Sequence, residues 1–133
     1  MEKFSQIYKT FLDSVKQIQT SYAYESKMLQ VHEQETQDLL HQLELGSYSE
    51  RRKTATRLAN VRKERRYSKD VVNVLQPMVE LLGTPEGVKF IKQLQIVLGE
   101  TRKIENSMQN RRYTPRVITD LEIARCNEEN NRG

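Results

Sequence analysis

No glycine occurs before Gly46 and no proline before Pro77. A sheet or loop-rich fold needs turn residues at short intervals, so a stretch of this length without either reads as one continuous helix. The apolar residues agree. Phe4, Ile7, Phe11, Val15, Ile18, Tyr22, Leu29, Leu39 and Leu43 keep to a helical step of three and four, close to a heptad. The spacing predicts a helix over 2–45, roughly 60 Å long at 1.5 Å per residue, with Gly46 as its C′ stop.

The following residues restart the pattern. Ser47 with Glu50 matches a capping box, in which each side chain serves the other's backbone N–H. Thr54, Leu58, Val61, Arg65, Ser68, Val72, Leu75, Val79 and Leu82 then define a second helix over 48–82, in which Pro77 predicts a kink or break near Asn73. Gly83 ends it. Thr84-Pro85-Glu86 supplies an N-cap, a proline at the first helical position and an acid in the first turn, opening a third helix over 85–112. Thr114-Pro115 stops that one, and a short helix over 119–127 or a frayed tail follows. Short connections make neighbours antiparallel. The expected fold is therefore all-α and one domain over 1–133: a long antiparallel hairpin plus a third helix, a three-helix bundle with a short C-terminal element.

Composition supports this and limits the function. With 36% hydrophobic and 30% charged residues and no tryptophan, the chain has the profile of long helices. A single cysteine, Cys126, excludes an internal disulfide and suits a reducing compartment. No apolar run approaches the ~20 residues that span a bilayer, so the expected location is cytoplasmic, with no membrane partner. Catalytic patterns are lacking. His32 and His41 stand without an HExxH-type spacing, and there is no glycine-rich phosphate loop or nucleophile elbow. The chain reads as a non-enzyme with no metal and no cofactor.

Pairing the first two helices about Gly46 sets Leu39 against Thr54, Tyr22 against Val72 and Val15 against Val79. The seam is apolar at both ends and polar in the middle, where Glu25, His32 and Ser68 meet with Arg65 about one turn away. Buried charges cost several kcal/mol per ion unless paired. Three readings stay open: an ion-pair layer that fixes register, a pair of residues rolled out into water, or a polar pocket in which an anion joins Arg65.

The stretch ERRKTATRLANVRKERRYSKD, residues 50–70, carries nine of the 22 lysines and arginines. Arg62, Arg65, Arg66 and Lys69 fall on one side of a helix, where like charges at these spacings repel. Residues 1–46 have net charge −3 and 47–82 have +5, so interhelical pairing is one outlet for these bases. A second cluster, Arg111, Arg112 and Tyr113 with Arg116 nearby, repeats the Arg-Arg-Tyr triplet of Arg65, Arg66 and Tyr67. Arginine beside an aromatic ring suits phosphate contact and base stacking.

The stretches ETQDLLHQLEL, ANVRKERRYSKDVVNVLQP and NRRYTPRV together resemble a family of uncharacterised small helical proteins carried by phages and prophages of Gram-positive bacteria. The resemblance covers residues 33–117 and rests on Leu40, His41, Leu43, Glu44, Arg62, Arg65, Arg66, Lys69, Asp70, Tyr113, Pro115 and Arg116. It implies an accessory phage gene product in a bacterial host cell, acting by binding, with counter-defence as the role. The expectation is an Arg-rich helix face, Arg62 to Lys69 with Arg112, Tyr113 and Arg116, that holds an anionic small molecule such as a nucleotide signal, or an acidic host protein. Its alternatives are nucleic-acid binding and an oligomeric scaffold. Leu39, Leu40, Leu43 and Leu45 at the hairpin's outer part further predict a homo-oligomer.

Overall fold

The computed structural model describes residues 3–111 and 117–118. It is all-α with three helices: α1 over Phe4–Leu45, α2 over Tyr48–Gly83 and α3 over Pro85–Gln109. The C-terminal helix expected over 119–127 lies outside the described residues, as do Arg112, Tyr113, Arg116 and Cys126.

The cap chemistry read from the sequence sets the boundaries. The Ser47 side chain accepts from the Glu50 backbone N–H, and the Glu50 carboxylate accepts from the Ser47 N–H at 3.2 Å, closing the capping box. Thr84 works in two directions. Its hydroxyl donates to the Leu81 carbonyl at 2.7 Å, closing α2, and accepts from the Gly87 N–H at 3.1 Å, opening α3. Helix α2 passes through Pro77 without a break.

Gly46 departs from expectation. No described residue, glycine or otherwise, has a positive φ, so Gly46 is not the left-handed C′ stop that its position suggested. Its use is proximity: a Cβ built there would meet the Gln42 carbonyl oxygen at 2.8 Å.

Contacts among the described residues gather into two compact units, one of residues 14–88 and one that joins the described residues before 14 to those after 88. The first is the α1–α2 hairpin. Tyr22 contacts Gln76, His32 contacts Glu64, and Glu33 contacts Arg65. Position 22 on α1 meets position 76 on α2, whereas 32 and 33 meet 64 and 65, and this is the antiparallel order. Among the buried or half-buried positions on α1, Val15, Ile18, Tyr22, Glu25, Leu29, His32, Thr36, Leu39 and Leu43 form a series at strictly alternating steps of three and four. On α2 the matching series is Thr54, Leu58, Val61, Arg65, Ser68, Val72, Leu75, Val79 and Leu82, with the same alternation, and Val71 and Gln76 beside it are half-buried too. Unbroken heptads in both strands are the signature of coiled-coil packing, in which each seam residue enters a hole on the facing helix. Of the leucines expected to be exposed at the outer end, Leu39 is buried and Leu43 half-buried, while Leu40 and Leu45 face solvent.

In the second unit the backbone N–H of Ser5 reaches the Glu105 carboxylate at 3.5 Å. Ser5 and Leu98 are buried there, whereas Phe4, Ile7, Phe11, Phe90 and Ile104 stay about half exposed. The third helix is accordingly less packed than the hairpin, with Leu98 as its one buried residue among those described.

Candidate functional site

The heptad phase decides what the middle of the hairpin contains. His32 and Ser68 occupy seam positions and are buried, and Glu25 occupies another and is half-buried. All three lie in the central part of the seam. Arg65 stands at a seam position too, but its guanidinium goes elsewhere. It donates to the Glu33 carboxylate at 3.4 Å on an exposed flank rather than meeting Glu25. A long side chain at the edge of a coiled-coil seam keeps its stem on apolar surface and its head in water. Glu25 itself makes no ion pair among the described residues.

His32 is the unsatisfied member of the layer. Its side chain is 8% exposed, and Nδ1 lies 3.4 Å from a Glu35 oxygen and 3.8 Å from a Glu64 oxygen. Neither approach has hydrogen-bond geometry, so Nδ1 is a buried polar atom without a hydrogen-bond partner. Buried polar atoms in native proteins are nearly always satisfied, which sets this one apart. Among the described residues no group of three or more His, Cys, Asp or Glu side chains could hold a metal ion.

A shallow concavity of about 420 Å³ opens beside this layer. The α1 side supplies Tyr24, Glu25, Met28 and His32, and the α2 side supplies Lys63, Glu64, Tyr67 and Ser68. A second concavity of about 390 Å³ lies at the start of α2, along Tyr48, Ser49, Arg52, Lys53 and Thr56. Neither is lined by Arg62, Arg65, Arg66 or Lys69.

Those four residues lie instead along the outside of α2. Arg62, Arg66 and Lys69 are exposed and Arg65 is half-buried. Arg65 alone of the nine bases in residues 50–70 forms an ion pair with a described residue. Arg51 donates to the Gly46 carbonyl oxygen at 2.9 Å, a helix-end contact with no acid involved. The interhelical pairing that opposite segment charges suggested therefore accounts for one base in nine. Sequence reasoning identifies the basic face and the polar seam separately. It misses that Tyr24, Met28, Glu64 and Tyr67 share a concavity, because these residues flank the seam and carry no periodic signal of their own.

Comparison with protein-family models, with curated proteins and with solved structures returned no match. Among the described residues no helix is long and apolar enough to cross a membrane.

Proposed function

We propose that the chain is a non-enzymatic binding protein whose α2 helix engages an extended polyanion, with the phosphate backbone of a nucleic acid as the best-fitting partner. One observation carries this reading: eight of the nine bases between residues 50 and 70 have no acidic partner among the described residues, although α1 beside them carries net negative charge. Cations three or four places apart on one helix repel one another. They gain a favourable role when an external anion neutralises them.

The distribution of these bases favours an extended partner over a small nucleotide. Arg52, Lys53, Arg57, Arg62, Lys63, Arg66 and Lys69 are spread around the exposed surface of a continuous helix, not gathered about one cavity. Small-molecule sites enclose their ligands in concave, largely apolar walls. A rod of positive charge suits a phosphate chain, and a helix has the width of a DNA major groove. The accessory phage context that the resemblance implies belongs to the same proposal: a protein made in an infected cell, acting by occupancy to counter a host defence.

Fluorescence anisotropy with a mixed-sequence duplex tests this. Neutralising about six phosphates predicts an affinity that falls roughly a thousandfold between about 50 and 200 mM salt, through counterion release. Absence of duplex and single-strand binding at about 50 mM salt would overturn the nucleic-acid reading and leave an acidic protein surface as the partner.

A further inference from the structure

One of the three readings of the polar seam places an anion beside Arg65 in a pocket at the hairpin centre. The lining of the concavity there carries the opposite chemistry. Arg65 is absent from it, and two carboxylates, Glu25 and Glu64, are present. Glu25 is half-buried without an ion-pair partner among the described residues. Tyr24 and Tyr67, one from each helix, stand 59% and 64% exposed on the rim, so their rings are available to a ligand. Met28 and the buried Ser68 complete a mostly apolar wall. The His32 side chain, more than nine-tenths buried, contributes a polar atom with no hydrogen bond, 3.8 Å from the Glu64 carboxylate.

We propose that this concavity is a binding site for an organic cation, a guanidinium or an alkylammonium. An aromatic face attracts a cation through its ring quadrupole, and two aromatic side chains beside carboxylates form the usual cage for such a group. A guanidinium adds planar stacking on tyrosine and paired hydrogen bonds to a carboxylate. An anion placed there would meet Glu25 and Glu64 with no arginine to balance them. Lys63 is the one permanent cation on the rim; it is exposed, and its flexible stem lets the ammonium swing into water when the site fills. The volume of about 420 Å³ suits a small ligand or the head of one long side chain. The occupant is either a free organic cation or an arginine or lysine presented by another protein, and the two share one recognition chemistry. This site shares only Lys63 with the basic face of α2, and its readouts are Met28, Tyr24 and Tyr67, so it stands or falls independently of the polyanion reading.

NMR titration of the full chain decides it, following the Met28 methyl and the Tyr24 and Tyr67 ring signals. The probes are methylguanidinium, a short arginine-bearing peptide and methylurea, the last a neutral compound of similar shape. Saturable shifts at those three residues are expected with the two cations and none with methylurea. Glu25→Gln, which keeps the side-chain shape, is expected to weaken both cations about tenfold, a 1.4 kcal/mol change. Tyr67→Leu on the exposed rim does the same and covers the case in which Glu25→Gln fails to fold. Tighter binding of the peptide assigns the site to a protein partner, and equal binding to a free cation. Equal shifts with methylurea, shifts that never saturate, or unchanged affinity in the folded variants would overturn the proposal.

Discussion

Arg65 and Glu33 meet at 3.4 Å with their side chains 40% and 50% exposed. The central arginine of the hairpin is thereby tied to a flank of α1 and leaves the seam acid Glu25 alone. An ion pair this wet gains little, because water screens the attraction and ordering two long side chains costs entropy. A double-mutant cycle of Arg65→Met and Glu33→Gln should give a coupling of about 0–1 kcal/mol by urea denaturation. Methionine keeps the apolar stem, so the cycle reads the charge alone. A coupling above about 2 kcal/mol would mean that the pair is desolvated.

His32→Leu should stabilise the hairpin. The imidazole occupies a buried seam position, 6% exposed, and Nδ1 has no hydrogen bond. Leaving such an atom unsatisfied costs about 1–3 kcal/mol, and leucine at a heptad position removes the polar atom while filling similar volume. The expected gain is of that order, read as a rise in melting temperature. A loss of stability would show that His32 is satisfied in solution by water or by Glu35 and Glu64.

Two glycines of similar appearance in the sequence should respond with opposite sign. A Cβ on Gly87 would lie 2.2 Å from the Leu81 carbonyl oxygen and 3.1 Å from the Leu82 backbone. Those atoms are main chain and cannot turn aside, so the last turn of α2 and the first turn of α3 must separate to admit a methyl. Gly87→Ala should cost about 1–3 kcal/mol, the usual scale of overpacking. Gly99 lies inside α3, and a Cβ added there would meet nothing within 4 Å, so Gly99→Ala should stabilise by about 0.5–1 kcal/mol through helix propensity. Thermal melts of the two variants, compared with the parent, check the sign.

This contrast marks what is legible in the sequence. Heptad spacing from Val15 to Leu43 and from Thr54 to Leu82 is a property of position alone, so the hairpin and its buried face can be read directly. The Ser47–Glu50 and Thr84–Pro85 signals are local and equally readable. Gly87 gives no signal, since its constraint is the approach of two helix ends brought together by Thr84. For Arg65 the spacing finds the correct helix face but the wrong acid: a guanidinium reaches several residues, and the rotation of each helix decides which carboxylate it finds. The candidate site shows the same division. The basic face follows from spacing, whereas the concavity depends on how Tyr24 and Tyr67 project from two helices at once.

The basic face should prove dispensable for folding. Arg62, Arg66 and Lys69 have no ion-pair partner among the described residues, and each lies three or four places from another base. Replacing all three by glutamine removes repulsion worth a few tenths of a kcal/mol per pair. The triple variant should therefore melt at or slightly above the parent temperature, most visibly at low salt, where screening is least. Binding should move the other way. If these three bases neutralise phosphates, the slope of log affinity against log salt should become shallower by about 2.7, at roughly 0.9 per contact. Retained stability with a flatter slope identifies a surface kept for a partner. A variant that melts well below the parent would instead show that these arginines and this lysine are held by carboxylates in solution, and the α2 face would then be structural.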